Sequence, residues 1–171
     1  MTNATRFLLL VVTLSLAACG FHLRGSNPND VAFAFKSLYL KVPGETPFVA
    51  DLRRTLKAYK ITPTKTADEA EVVLEVVSEQ TTKRILSLNS SGHVQEYQLD
   101  YRVMLRAYDN KQNDWLPADD VALSRILPYD DALVLSKQQE EAMLYKDMRS
   151  DAVGQAMRRL LRAKPQVEQR E

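Results

Sequence analysis

The strongest candidates for binding chemistry are four basic side chains on two neighbouring β candidates: Lys83, Arg84, Arg102 and Arg106. The first two occupy neighbouring, opposite-facing positions near the end of one candidate, and the two others share one face of the next. A guanidinium group binds two phosphate oxygens at once, so this set predicts a site for an anionic head group. The alternative is a solvated sheet face on which Glu96 and Asp100 are ordinary neighbours.

Residues that could catalyse a reaction are few. Two pairs of adjacent carboxylates are of the type that glycosidases use: Asp119 with Asp120, and Asp130 with Asp131. They stand at the ends of predicted elements, where such residues form turns and caps. His22 and His93 have no partner at metal-ligand spacing, and no nucleotide loop or nucleophile elbow is present. We expect no catalytic residue, no metal and no cofactor.

The only thiol belongs to Cys19, which ends the motif Leu-Ala-Ala-Cys at residues 16–19. This motif is similar to the lipobox of bacterial lipoproteins, in which the cysteine receives a diacylglycerol thioether and the signal is cut just before it. The new amine is then acylated. Several acyl chains, at about 0.8 kcal/mol per buried CH₂, give stable anchoring. We predict Cys19 as a lipid anchor; the alternative is a secreted protein with a buried cysteine.

Residues 1–18 have the features of an export signal. Arg6 is their one charge, and residues 7–16 form a continuous apolar run that ends in small residues. A bilayer-spanning helix needs about 20 apolar residues, so this run is too short. Gly20 follows the cysteine, where an aspartate would favour the inner membrane. The predicted location is the outer membrane, with the lipid anchor at its periplasmic side.

The length and the apolar content predict one domain of ordinary size. Removing residues 1–18 from 171 leaves 153, of which enough are apolar to build a core. The full chain has 23 Lys and Arg against 22 Asp and Glu. Because nucleic-acid binding calls for a basic surplus, we predict no nucleic-acid partner. With its one cysteine lipidated, the domain has no disulfide.

The first half of the mature chain predicts a tether, a strand and a helix. Residues 19–30 have a tether composition, and alternating apolar residues in 31–42 indicate a strand. Thr46 and Pro47 are a cap and a first helical residue, and Pro63 predicts a helix end near Lys60. Residues 70–88 and 94–108 then predict a long antiparallel hairpin. A third strand is expected near residues 121–127, ending at Pro128.

The last long element is a predicted helix. Ser136 followed by Gln139 fits a capping box at its start. Apolar residues recur every four positions along one face: Leu144, Met148, Ala152, Ala156 and Leu160. Residues 165–171 are expected to be a disordered tail.

The order of elements predicts a two-layer α/β sandwich, with a mixed four-stranded sheet and two helices packed on one face. We divide the chain into a signal peptide at residues 1–18, a lipidated tether at 19–30, one α/β domain at 31–164 and a tail at 165–171.

Three stretches resemble the LptE (RlpB) family of lipopolysaccharide (LPS)-assembly lipoproteins of Gram-negative outer membranes. The sequence CGFHLRG at residues 19–25 is similar to the start of the mature family proteins. Residues 92–99, GHVQEYQL, are similar to the family's second hairpin strand. Residues 128–160, which include the motif LYKDMR, are similar to its final helix. The resemblance spans most of the mature chain.

This resemblance implies a four-stranded sheet with two helices and a non-enzymatic function. Family members plug the large β-barrel LptD, help it to fold and bind LPS, with basic side chains meeting lipid A phosphates in competition with divalent cations. The implied partners are therefore LptD, LPS and the membrane that holds Cys19. Phe21 and Leu23 become candidates for docking beside the barrel wall, and the four basic residues become candidates for contact with LPS.

Two other interpretations of the sequence belong to different classes. One is a lipoprotein accessory subunit of an ABC-type envelope lipid transporter, which would share the predicted location. The other is an envelope hydrolase, which the missing catalytic set disfavours.

Overall fold

A computed structural model describes residues 33–166 of the chain. The predicted signal peptide, the tether, the anchor Cys19 and the docking candidates Phe21 and Leu23 lie outside the described residues, as do residues 167–171. Those predictions stay predictions. Neither helix in residues 33–166 has the length and apolar composition needed to cross a bilayer.

The described chain contains five strands and two long helices. In chain order they are β1 (Ser37–Lys41), α1 (Pro47–Ala58), β2 (Thr62–Pro63), β3 (Val72–Leu88), β4 (Val94–Tyr108), β5 (Asp114–Pro128), a short 3-10 turn (Asp131–Leu133) and α2 (Val134–Arg162). The predicted mixed α and β fold is confirmed. The third strand of the meander begins at Asp114, well before the predicted residue 121.

The sheet has the order β2-β1-β3-β4-β5, so the prediction of four strands was wrong by one. The additional strand β2 pairs in parallel with β1 through only two residues, Thr62 and Pro63. A two-residue strand that contains proline has no alternation to detect, and proline is tolerated here because β2 is an edge. β1 pairs in parallel with β3, while β3, β4 and β5 form an antiparallel meander.

Helix α1 begins and ends through local hydrogen bonds. The Thr46 hydroxyl accepts a bond from the Val49 N–H at 3.3 Å, and Pro47 is the first helical residue, as predicted. At the other end Lys60 has a φ of 59°, its N–H donates to the Lys57 carbonyl, and the Ile61 N–H donates to the Leu56 carbonyl. This pair of bonds is a Schellman motif.

The start of α2 differs from the prediction. No side-chain cap bonds its first turn, which begins at Val134, so the capping box at Ser136 and Gln139 was wrong. The Ser136 hydroxyl instead donates to the Leu133 carbonyl at 3.2 Å. The Asp130 carboxylate caps the preceding 3-10 turn by accepting the Ala132 N–H. Because this turn feeds directly into α2, the chain needs no second cap.

One core cluster joins both helices to the sheet. It contains Phe48 and Leu52 of α1, Met148 of α2, and alternating residues of β3 and β4. On β4 the buried set is Leu99, Tyr101, Val103, Leu105 and Ala107. The helices therefore bury the apolar faces that their spacing predicted. The two-layer arrangement with both helices on one face stays a prediction.

Candidate anion-binding face of the sheet

The alternation of β4 separates a core face from an open face. Because its odd-numbered residues 99–107 are buried in the core, Arg102 and Arg106 project from the opposite face. Arg84 of β3 lies opposite Gln98 and therefore shares that face. The structure thus places three of the four predicted basic residues on one side of the sheet.

Each of these arginines meets an aspartate. Arg84 Nε lies 3.5 Å from Asp100 Oδ2, and Arg102 Nη1 lies 3.2 Å from Asp120 Oδ2. Both guanidinium groups remain well exposed, at 60% and 58% of their side-chain surface. In solvent such pairs contribute little to stability, so both arginines can exchange a carboxylate for another anion at small cost.

Arg106 is held more firmly at the other end of the strand. Its Nε and Nη2 both donate to Asp114 Oδ1, at 3.1 and 3.0 Å. Its guanidinium also stacks on the Tyr108 ring at 4.9 Å. These contacts make Arg106 the least available of the three.

A shallow depression of about 390 Å³ lies between Arg84 and Arg102. Its lining comes from three strands: Gln80, Thr82, Arg84, Asp100, Tyr101, Arg102, Ala122, Leu123 and Ser124. The depression brings two cations to one open and largely polar surface. Guanidinium groups on an exposed surface are groups that bind phosphate oxygens in proteins.

Asp100, which lines the depression, is kept ionised mainly by neutral donors. The hydrogen bond from Gln98, and then that from Ser124, lower the pKa of Asp100 below its ordinary value; the charges of Arg84 and Arg102 lower it further. Gln98 Nε2 lies 2.9 Å from both Asp100 Oδ1 and Ser124 Oγ. These bonds hold the Asp100 carboxylate beside Arg84 on the open face.

Lys83 does not join this group. It lies opposite Leu99, on the core side of the sheet. Its Nζ is 2.6 Å from Glu141 Oε2 of α2 and 4.2 Å from the centre of the Tyr97 ring. Lys83 thus connects β3 to α2, and we no longer group it with the arginines of the open face.

The paired carboxylates have structural partners. Asp119 Oδ2 lies 2.9 Å from Arg159 Nη1, and Asp131 Oδ2 lies 3.2 Å from His93 Nδ1. Asp130 caps the 3-10 turn and Asp120 pairs with Arg102. Within residues 33–166 no group of His, Cys, Asp and Glu side chains is arranged to hold a metal ion.

Sequence reasoning missed the acidic half of the open face. Asp114 and Asp120 come from β5, whose first half was not predicted as a strand. Their pairing with β4 is set by a register with a shift between Leu105 and Ala107. A prediction of β5 over its full length, in that register against β4, could have placed Asp114 and Asp120 beside the arginines.

The chain matches the family model LptE, Lipopolysaccharide-assembly, over residues 35–160. That match runs from before β1 to the last turns of α2 and covers most of the chain.

The chain belongs to the LptE family. A solved structure of an uncharacterized lipoprotein B from Nitrosomonas europaea is similar, with 37% identity over 84% of this chain and 88% of that one, at a TM-score of 0.68. A minor lipoprotein from Acinetobacter baumannii has 22% identity over 79% and 98% of the two chains, at a TM-score of 0.64. The rare lipoprotein B from Shewanella oneidensis has 24% identity over 71% and 92%, at a TM-score of 0.62.

The LptE resemblance predicted from the sequence is thereby confirmed, and membership implies a role in LPS assembly. The two more distant structures show the shared fold alone. A comparison with curated proteins finds no match.

Proposed function

We propose that this protein is a non-enzymatic outer-membrane lipoprotein of the LPS transport machinery. In this proposal it is anchored through Cys19 at the periplasmic side, plugs an LptD β-barrel whose assembly it assists, and binds LPS on its way to the outer leaflet. The observation that carries the proposal is the LptE family match over residues 35–160.

The proposed LPS contact is the depression between Arg84 and Arg102. Lipid A phosphates would bind the two exposed guanidinium groups, which the open face already holds beside one cavity. Asp100 and Asp120 keep these cations oriented in the absence of ligand. A phosphate with up to two negative charges competes well with a single carboxylate, because charge-assisted bonds strengthen with the charge of the acceptor.

The transport role is tested by depletion. When the protein is depleted, LPS at the cell surface and the amount of mature LptD should both fall, because the barrel loses its plug and assembly factor. Wild-type levels of both would contradict the proposal. Co-purification of the mature protein with an inner-membrane ATPase complex, in place of a barrel, would support the ABC-transporter alternative.

The binding site is tested separately by charge reversal. Arg84→Glu with Arg102→Glu should weaken binding of LPS by the purified protein about tenfold or more. Two guanidinium groups that bind phosphate are replaced by carboxylates that repel it. The matched control is Lys65→Glu with Lys111→Glu, which makes the same change in net charge at exposed loop positions. The unfolding midpoints of both variants show that the domain remains folded. Unchanged LPS binding in the arginine variant would remove this site.

Barrel docking by residues near the anchor is a third proposal. Phe21→Ser with Leu23→Ser should reduce the amount of LptD that co-purifies, because an apolar contact is lost. His22→Ser in the same segment is the control. Equal yields of barrel from all three proteins would identify the segment as a passive tether.

A further inference from the structure

Strand β1 has an outer edge that β2 covers only in part. The Thr62 N–H donates to the Lys36 carbonyl at 3.0 Å, and the Thr64 N–H donates to the Leu38 carbonyl at 3.1 Å. Successive residues of a strand turn their backbone groups to opposite edges, so the even-numbered residues of β1 face outward and the odd-numbered ones face β3. Because β2 ends at Pro63, its pairing with β1 stops at Leu38.

The next outward-facing residue of β1 is Leu40. β1 pairs with β3 from Leu38 to Lys41 without a register shift, so the alternation continues and the Leu40 N–H and C=O point away from β3. Within residues 33–166 no backbone group bonds to Leu40 on that outer edge. Leu40 can therefore offer one donor and one acceptor to an added strand.

An apolar cavity of about 550 Å³ lies beside this edge, between β1 and α1. Its lining is mainly aliphatic: Leu38, Leu40, Val42, Leu56, Ile61 and Pro63. Cavities of about 300–1,000 Å³ with mostly apolar linings are typical of ligand sites. A strand added at Leu40 would direct alternate side chains into this cavity.

Two cations of α1 also line the cavity, and they differ in availability. Arg53 is engaged, because its Nη1 and Nη2 donate to the two carboxylate oxygens of Glu45 at 3.0 and 2.9 Å. Lys57 is exposed, and no carboxylate of residues 33–166 lies within ion-pair distance of it. Lys57 therefore favours a ligand with a negative group.

We propose that this groove binds the apolar carboxyl-terminal residues of another protein, added to β1 as a short antiparallel strand at Leu40. The unpaired N–H and C=O of Leu40 select a polypeptide over a lipid chain, and the aliphatic lining selects apolar side chains at alternate positions. β2 already occupies the edge beside Leu38, so the added strand ends there. A terminal carboxylate at that end would pair with Lys57.

The test uses the full mature chain in phosphatidylcholine vesicles, because detergent would compete for an apolar groove. The probe is a fluorescent hexapeptide with a free carboxylate, whose last three residues are valine, threonine and valine. We expect saturable binding with a Kd below about 1 mM, and slower hydrogen exchange at the Leu40 amide.

Two altered peptides test the chemistry of binding. The same peptide with a terminal amide should bind roughly two- to fivefold more weakly, because it loses an exposed ion pair. The peptide N-methylated at the amides of its last three residues should bind at least tenfold more weakly, because it cannot form the backbone bonds.

Substitutions at Lys57 and Leu40 locate the contact. Lys57→Gln should weaken binding of the carboxylate peptide roughly two- to fivefold and leave that of the amide peptide unchanged. Lys111→Gln is its matched control at an exposed turn and should bind both peptides as the wild type does. Leu40→Pro removes the outward N–H without removing a bond to β3 and should weaken binding at least tenfold. Leu40→Val keeps that N–H and should bind within about twofold of the wild type.

If Leu40→Pro fails to fold, the N-methylated peptide and Lys57→Gln still decide the outcome. The proposal is overturned by no saturable binding, by equal binding of the carboxylate and amide peptides, or by undiminished binding in a folded Leu40→Pro. Binding of dodecanoate without binding of the peptide would assign the cavity to an acyl chain.

Two further results would assign the groove to this chain itself. Cross-links within one molecule from position 42 to residues 19–32 would identify the tether as the occupant. Dimers that Leu40→Pro dissociates would identify a second copy. The assay contains neither barrel nor LPS, so its outcome is independent of the proposed function.

Discussion

Two hairpin turns use the same device at the scale of single residues. Asn89 Oδ1 accepts the N–H groups of Ser91 and His93, and Asp109 Oδ1 accepts those of Lys111 and Asn113. In each loop the fourth residue has a positive φ. In the first it is Gly92, at 81°, and in the second it is Gln112, at 64°. The second loop therefore places a side chain where the first has none.

Replacing Gln112 by glycine should stabilise the protein. A left-handed conformation costs an L-residue about 1–2 kcal/mol, and the greater freedom of unfolded glycine offsets about 0.5–1 kcal/mol of that. We expect Gln112→Gly to raise the free energy of unfolding by up to about 1 kcal/mol, measured by urea denaturation. Lys111→Gly, one residue earlier, lacks the positive φ and should destabilise. A loss of stability in Gln112→Gly would contradict this account.

The lowered pKa of Asp100 predicts an acid dependence of stability. Hydrogen bonds from Gln98 and Ser124 favour the charged carboxylate in the folded state. Its stabilising effect is present above the ordinary pKa of about 4 and is lost as pH falls through the lower folded value. In Asp100→Asn we expect the fall in stability between about pH 5 and pH 2 to be smaller, by less than about 1 kcal/mol. Urea denaturation at several pH values measures it, and an unchanged pH profile would refute the assignment.

At the scale of elements, the sequence predicted what local patterns determine. The start of α1 at Thr46 and Pro47 follows from capping chemistry, and the hairpin of β3 and β4 follows from alternation around a polar turn. Strand β2 escaped prediction because a partner distant in the sequence creates it. The first half of β5 escaped because Pro117 and two register shifts interrupt its alternation. The pairing of Thr62 with Ser37 needs β1 as a template. Tertiary contacts outweigh local preference at such positions.

The sequence predicted which residue types form the candidate site, but not which of these residues lie together. Alternation placed Arg102 and Arg106 on one face, and the hydrogen-bonding geometry of the guanidinium group suggested an anionic ligand. Alternation also placed Lys83 and Arg84 on opposite faces. Which of the two joins the other arginines, and which aspartate faces each arginine, depends on the register of three strands. A register shift of one residue reverses the face of every side chain beyond it, and local sequence does not determine the shift inside β3.

Helix α2 is divided into a buried and an exposed half, which a pair of matched substitutions can test. Met148 has 0% of its surface exposed and Met143 has 63%. Met148→Ala should lower the free energy of unfolding by about 2–4 kcal/mol, because it leaves a cavity in the core. Met143→Ala should change it by less than about 0.5 kcal/mol. Thermal or urea unfolding measures both. Similar losses would show that the core extends further along α2 than the structure indicates.

At the scale of the whole molecule, the core occupies one part of the described chain. The buried residues of β3 end at Val76, although the strand continues to Leu88. Those of α2 begin at Met148, although the helix starts at Val134. Eight of the exposed large apolar residues belong to the sheet, the 3-10 turn and the first part of α2: Ile85, Leu86, Leu88, Ile126, Leu133, Val134, Leu135 and Met143. Apolar packing therefore stabilises one part of the described chain more than the other.

Native-state hydrogen exchange should divide the protein in the same way. Amides of residues 72–76 and 148–160 should exchange only through global unfolding, because they lie in the core. Amides that bond within residues 80–98 should exchange through local openings of lower free energy, because few apolar contacts oppose the opening. Exchange measured against low urea concentrations separates the two classes. Equal protection throughout β3 would contradict this division.

The parallel pairing of β1 with β3 has a consequence for the order in which the chain folds. The meander of β3, β4 and β5 joins neighbours through short turns, whereas Leu38 meets Val72 across 34 positions of chain. Closing that longer loop costs more conformational entropy before any contact compensates for it. Because the chain is made from its amino-terminal end, β1 has no partner until β3 has also been made. During that interval the backbone groups of β1 have no partner in the sheet, and its apolar residues Leu38 and Leu40 have no core to enter.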